Sequence, residues 1–331
     1  GGSRVTAHYS PLGAIMSEQK KIILDVDTGI DDALAIAFTV NSPICELLAV
    51  TTLAGNSSVV HTTRNTLDVL HLLGADNIPV HRGASRPLVR THVDAAYWHD
   101  ENGLGGAQLP PSPATVGADR GPAAIIRLAK QHPGEITLVC VGPLTNLAIA
   151  LNVEPELLDL LAGLVIMGGA FFEQGNITEL AEFNIFCDPE AADQVFATGH
   201  PMTVVGLDVT RRTILHRNSY LATKQRSGDH APSARLTLEV ARALFTQKDK
   251  SEMALHDPLA IGAALDPSLL TYQEASVEVG TGEIDRGQTR ITGPGKIRVA
   301  TGVDADRFTK LFHDRLGLDW STEGVEIRLG E

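Results

Sequence analysis

Cysteine, basic residues, aromatics and long apolar runs are all scarce in this chain, and each scarcity excludes a class of protein. Cysteine occurs only at Cys45, Cys140 and Cys187, in or beside apolar runs, with no CxxC or Cys/His metal spacing. That usage excludes a disulfide framework and a zinc site, and it predicts buried, reduced thiols in a cytoplasmic protein. Lys and Arg number 27 against 40 Asp and Glu, a formal charge of −13 with no basic run. Phosphate-binding surfaces need clustered Lys and Arg, so nucleic acid and anionic membranes are excluded as partners. No apolar run is long enough to span a bilayer. Residues 1–15 have no long apolar segment and do not read as a signal peptide. Met16 followed by SEQKK reads as a native start, with residues 1–15 a vector remnant and 16–331 one domain. Hydrophobic residues at 43% and charged residues at 20% suit a soluble protein with a full core.

The stretch around which the rest is organised is residues 21–38, KKIILDVDTGIDDALAIAF with its flank. Ile22, Ile23, Leu24 and Val26 read as a buried strand, Thr28 and Gly29 as a turn, and residues 33–38 as helix. Within this short span fall four carboxylates: Asp25, Asp27, Asp31 and Asp32. Asp25 and Asp27 are two apart and share one side of the strand end. Asp31 and Asp32 lie in the first helical turn, where backbone N–H groups favour negative charge. Capping accounts for one or two of them, not four. At about 4 Å and an effective dielectric near 20, each like-charge pair costs about 4 kcal/mol. The cluster therefore calls for a cation, and carboxylate oxygens select a hard one, Ca²⁺ or Mg²⁺.

Downstream, apolar strands alternate with helices. Strands are expected over 45–53, 78–80, 136–141, 164–167 and 202–207. Helices are expected from Ser57 or Ser58 to 73, and over 121–130, 145–151 and 235–246, with another starting at His256-Asp257-Pro258. Residues 83–120 carry no regular pattern and read as a functional loop region. Near the C-terminus, 276–279 and 296–300 read as antiparallel strands and 304–316 as a closing helix. The alternation predicts an α/β fold: a single open, mostly parallel, doubly wound, Rossmann-like sheet with helices on both faces and a small antiparallel addition.

Polar residues gather after the strands: Asp25 and Asp27, Asn56, residues 142–146, Gly168 onward, and Asp208. Ligands of open α/β sheets bind outside those carboxyl ends, so these segments converge on one place. Asn176, Glu182 and Asn184 add an amide–carboxylate–amide set suited to sugar hydroxyls, or to turn and cap chemistry. Several motifs are excluded. Residues 25–36 are not an EF-hand, since the glycine is one position early and Ile36 stands where Glu is needed. There is no GxxxxGK[ST] loop and no GxSxG elbow, and Gly103-Leu104-Gly105-Gly106 does not follow a strand. A strand ending in DxDxG also resembles Mg²⁺-dependent haloacid-dehalogenase-type phosphohydrolases, the alternative enzyme reading. Against it, Thr28-Gly29 reverses the order expected there, and Asp31-Asp32 has no role.

Taken together, these segments resemble the inosine–uridine-preferring nucleoside hydrolases. The family pattern DxDPGxDDA appears as DVDTGIDDA, with Thr28 in place of the usual proline; TTLAGN, GPLTNLA, residues 167–184 and HDP at His256 follow. The resemblance implies Ca²⁺-dependent, inverting hydrolysis of ribonucleosides to ribose and free base, by a homodimer or homotetramer. It implies Ca²⁺ held by Asp27, Asp32, the Val141 carbonyl and Asp257, with Asp27 as general base and Asp25 supporting the loop behind it. The catalytic set is Asp27, His256 and Asn184, with His256 beside the departing base. Asp31, Asn56, Asn176, Glu182, Phe183, Asn184 and Asp257 would contact ribose, and His99 the base. The purine-specific branch relies on tryptophan stacking; His256, and tryptophans only at Trp98 and Trp320, argue against membership of it.

Overall fold

Strand β1 (Lys20–Val26) shows how the core is built, because its side chains alternate between two apolar layers. Ile22, Leu24 and Val26 enter one layer and Ile23 the other. The structure, a computed structural model, describes residues 19–93 and 102–320. Residues 1–15, Trp98 and His99 lie outside that range. On either side of β1 the sheet runs in the order β3-β2-β1-β4-β5-β6-β10-β9. Its strands are β2 (Cys45–Thr52), β3 (Val80–Arg82), β4 (Ile136–Cys140), β5 (Gly163–Met167), β6 (Met202–Val205), β9 (Leu270–Val279) and β10 (Thr289–Val303). All neighbours pair parallel except β9, which runs antiparallel to β10 at the edge. The chain winds outward from β1 to β3 and then returns to β4 on the other side of β1. The point where the winding reverses is therefore the β1/β4 boundary, where doubly wound sheets open a crevice.

Two layers of helices cover the sheet. Helix α1 (Ile30–Val40) is buried on nearly every side, because it lies among the sheet, α10 (His256–Leu265) and α11 (Ala305–Leu316). Phe38, Phe308 and Phe312 lock α1 to α11, with ring centroids 5.8 to 6.3 Å apart. The caps follow the sequence: Ser58 caps the N-terminus of α2 (Val59–Leu72), a proline opens α3 (Gly121–Gln131), and Asp304 caps α11. Helix α4 (Thr145–Val153) begins within the GPLTN segment.

Some boundaries differ from expectation. Strand 78–80 moves to Val80–Arg82, because Ile78 N–H turns back to the Ala75 carbonyl and pairing with β2 starts at Val80. The strand expected to reach 207 stops at Val205: Leu207 N–H bonds the Gly169 carbonyl and starts the one-turn helix α7 (Leu207–Thr210). The helix expected over 235–246 begins at Pro232 as α9 (Pro232–Val240), and a wider turn follows at Ala243–Gln247. Cys140 and Cys187 are buried, but Cys45, at the start of β2, is only half-buried. Unanticipated were the helices α5 (Phe183–Cys187), α6 (Pro189–Ala197) and α8 (Arg217–Gln225), and the small antiparallel sheet of β7 (Ile214–His216) and β8 (Glu252–Ala254). Among the described residues no helix is long and apolar enough to cross a membrane.

Candidate active site

The loop after β1 folds back over its own carboxylates. Asp32 accepts hydrogen bonds from Gly29 N–H (3.0 Å) and Asp27 N–H (3.1 Å), so it caps α1 from within the helix. Asn56, after β2, donates its backbone N–H to Asp27 Oδ2 (2.7 Å) and its side-chain amide to Asp32 Oδ2 (3.0 Å). Two glycines make room for the Asp27 carboxylate. A Cβ on Gly55 would lie 2.1 Å from Asp27 Oδ2, and one on Gly142 would lie 2.7 Å from Oδ1. Asp27 Oδ1 is buried and has no hydrogen-bond partner. Behind it, Asp25 accepts from Thr51 Oγ1 (2.5 Å) and Asn146 Nδ2 (2.8 Å). Burial pushes the Asp25 carboxyl up to about 7.

Helix α10 brings the opposing wall. Its N-cap is Leu255, which places His256 and Asp257 in the first turn rather than at the cap. One oxygen from each of Asp31, Asp32 and Asp257 lies within 4.8 Å of the others. Burial first, then the neighbouring carboxylates, raises Asp27 and Asp257 well above the ordinary range, and Asp31 to about 6. Buried carboxylates that crowd one another, one with an orphaned oxygen, fit a hard cation supplied from outside. His256 Nδ1 lies 2.7 Å from Thr210 Oγ1, and burial lowers its pKa.

The third wall is residues 168–184. Glu182 caps α5, accepting from the N–H groups of Asn184, Ile185 and Gly169, and burial raises its carboxyl to about 7. Asn176 Oδ1 accepts from Phe183 N–H (2.8 Å), and Asn184 Nδ2 donates to the Val141 carbonyl (2.8 Å). Cap chemistry and site lining are thus combined in the same side chains. Asp208 takes no part in the lining: it accepts the N–H groups of Phe171, Phe172 and Glu173 and holds that segment.

These walls enclose a cavity of about 380 Å³, within the range of small-molecule sites. Of the residues expected at the site, Asp31, Asn56, Val141, Asn176, Glu182, Phe183, Asn184, His256 and Asp257 line it. Asp27 and Asp32 lie buried beneath Asn56. Asp31, expected at the sugar, also belongs to the carboxylate trio with Asp32 and Asp257. Sequence reasoning missed Thr210, Arg211 and the Glu252–Ala254 strand at the rim. Arg211 follows a strand-end aspartate by three residues, a usable signal; a three-residue strand offers none.

Fold and site together define a doubly wound α/β enzyme whose sugar-sized cavity sits on a carboxylate cluster suited to a metal ion. The family model described as inosine-uridine preferring nucleoside hydrolase matches residues 22–310. The chain is 42% identical over 306 residues to a non-specific ribonucleoside hydrolase, RihC, of Klebsiella pneumoniae, spanning 87% of this chain and 95% of that one. It is 37% identical to a probable uridine nucleosidase 2 of Arabidopsis thaliana, spanning 91% of this chain and 98% of that one. A solved plant nucleoside hydrolase superposes with a TM-score of 0.84 at 33% identity, covering 90% of this chain and 98% of that one. A purine-preferring ribonucleoside hydrolase from Gardnerella vaginalis gives the same TM-score, identity and coverage. The chain belongs to the inosine-uridine preferring nucleoside hydrolase family, enzymes that hydrolyse the N-glycosidic bond of ribonucleosides. The phosphohydrolase alternative is thereby set aside: the family match runs through Asp31-Asp32 and most of the chain, where that alternative had no role for those residues.

Proposed function

We propose that this N-ribohydrolase is Ca²⁺-dependent and inverting, with Asp27 as general base. The observation that carries the proposal is the buried, unpartnered Asp27 Oδ1 amid mutually close carboxylates at the β1/β4 crevice. Asp27, Asp32, the Val141 carbonyl and Asp257 would hold the ion, with Asp31 alongside. Once bound, Ca²⁺ supplies Lewis-acid polarisation of water and orientation of ribose hydroxyls. The residues do the rest. Asp27 accepts the proton of the attacking water on the face of the sugar away from the base. Asp31, Asn56, Asn176, Glu182, Phe183, Asn184 and Asp257 hold the ribose, and the carboxylate and amide oxygens among them stabilise the positive charge that builds on the ring as the glycosidic bond lengthens. The Asn184 amide, fixed on the Val141 carbonyl, keeps the sugar and metal walls in register. With Nδ1 engaged by Thr210, His256 presents Nε2 to the departing base, where it orients the base or donates a proton. His99, outside the described residues, is assigned to the base side on motif alone.

The relatives differ in the bases they are named for, uridine in one, purines in another and no specificity in a third. The base subsite is accordingly proposed to accept purine or pyrimidine nucleosides, in a cytoplasmic homodimer or homotetramer. The test is reducing-sugar release from inosine and uridine by chelator-stripped protein, before and after Ca²⁺ is restored. Ribose appearing only with the metal is the expected result. Undiminished release after stripping would remove the metal from the proposal, and no release from either nucleoside would overturn the substrate assignment.

A further inference from the structure

One helical turn, α7 with its cap, touches both sides of the cavity. Asp208 accepts the N–H groups of residues 171–173, at 2.6 Å from Phe172 and 3.1 Å from Phe171 and Glu173. Three residues on, Arg211 donates Nη1–H to the Gln174 carbonyl (2.7 Å) and Nη2–H to the Gly175 carbonyl (2.9 Å). A carboxylate and a guanidinium spaced i, i+3 share one face of a helical turn. Here that face grips five consecutive backbone units, by their N–H groups at one end and their carbonyls at the other. Between the two, Thr210 holds His256 Nδ1.

The gripped segment leads directly to Asn176. Gly175 N–H bonds the Glu179 carbonyl, and Asn176 N–H bonds the Ala181 carbonyl. A Cβ on Gly175 would lie 2.1 Å from the Ala181 carbonyl oxygen, so this turn is tightly closed. Gln174 and Asn176 are themselves exposed. Apart from the turn's own hydrogen bonds, the Phe183 contact and the backbone bridge from Ala181 to Gln288, Arg211 is the polar side chain that ties this segment to the rest of the fold among the described residues. It also lines the cavity.

We propose that Arg211 is a positioning residue, the donor half of a clamp completed by Asp208, and that it sets Asn176 at the sugar relative to His256 at the base. Two of the five guanidinium N–H donors are used in a fixed fork that an ammonium cannot reproduce. The proposal rests on the reading above that Asn176 contacts ribose, and the test separates the two.

Arg211→Met, Arg211→Lys, Asn176→Ala and the Arg211→Met/Asn176→Ala double variant are compared as Ca²⁺-loaded full-length protein, by steady-state kinetics and by amide hydrogen exchange of residues 174–181. In Arg211→Met, KM for the nucleoside should rise roughly tenfold, the worth of a charge-assisted hydrogen bond, while kcat changes little. Exchange across 174–181 should quicken by at least about tenfold, since the segment has lost its anchor. In the Asn176→Ala background, Arg211→Met should raise KM less than about twofold, because both changes act through one contact. Arg211→Lys should shift the same quantities less, in the same direction; it serves alone if the Met variant does not fold. Unchanged exchange in 174–181, or a KM effect undiminished in the Asn176→Ala background, would overturn the clamp. If Asn176→Ala alone leaves KM unchanged, the ribose assignment of Asn176 fails, and the exchange measurement still decides the clamp.

Discussion

The Asp27 carboxylate is packed between the backbones of Gly55 and Gly142 and accepts the N–H of Asn56. That placement leaves Oδ1 buried and without a hydrogen-bond partner. Asp27→Asn keeps the shape and removes the proposed base, so turnover should fall by about 10²–10⁴-fold, and a variant retaining most of the rate would refute the assignment. Gly55→Ala leaves every functional group in place but sets a methyl 2.1 Å from Asp27 Oδ2. It should cut kcat more than tenfold by displacing that carboxylate, an estimate from the sensitivity of catalysis to about 1 Å misplacements. Near-normal kcat would show that Asp27 has room to spare. Glu182 makes a prediction about pH. Burial lifts its carboxyl to about 7, above its unfolded value, so the folded state binds the proton more tightly. Its contribution is complete below about pH 4 and is lost as pH rises towards 7, to the extent of about 3 kcal/mol. Urea unfolding of chelated protein between pH 4.5 and 7 should therefore show a downward slope that is shallower in Glu182→Gln. Identical slopes would assign that pH dependence to other groups.

Elements differ in how much of them was legible. The run Ile22-Ile23-Leu24, the β4 run ITLVC and the caps at Ser58 and Asp304 are local signals, and the structure places elements on them with small shifts. Helices α5 and α6 were not legible, because they share Asp188 between the end of one and the cap of the next, and neither spans three turns. The β7/β8 pair joins two three-residue strands far apart in sequence, a pairing no local pattern encodes. In the site, the carboxylates were readable because four of them between Asp25 and Asp32 have no bland explanation, and the amides because they follow strand ends. Thr210 was not, because its role depends on what the fold brings to it, and Arg211 was signalled only by its spacing from Asp208. Thr28, the one departure from the family's motif, also finds its explanation in contact: its hydroxyl lies 2.7 Å from that of Thr66, tying the loop before α1 to α2. Thr66→Val should leave the buried Thr28 hydroxyl without that partner and cost about 1–3 kcal/mol of stability in denaturant unfolding, with kcat unchanged. A neutral effect on stability would mean the loop is held by Asn65, which donates to the Thr28 carbonyl.

At the scale of the whole molecule, the winding of the sheet concentrates charge that the rest of the fold cannot neutralise. Asp25, Asp27, Asp32, Glu182 and Asp257 are all buried within one end of the β1/β4 region, in a chain that already carries −13. No Lys or Arg forms an ion pair with any of these five among the described residues. Uncompensated buried charge destabilises a fold, so a cation bound there acts on the whole folding equilibrium and not only on catalysis. Because Ca²⁺ would bind the folded site and not the unfolded chain, stability should rise with its concentration as RT ln(1 + [Ca²⁺]/Kd), about 2.7 kcal/mol at a hundredfold excess over Kd. For a chain of this size that corresponds to a rise in Tm of roughly 4 °C. Calorimetry of chelated protein titrated with Ca²⁺ should show that rise, and Asp32→Asn should abolish it, since Asp32 is both the cap of α1 and a member of the carboxylate trio. A Tm independent of Ca²⁺ in the wild type would mean that the carboxylates are kept neutral by their own protons. The elevated pKa values would then be the resting condition of the site rather than the mark of a missing cation.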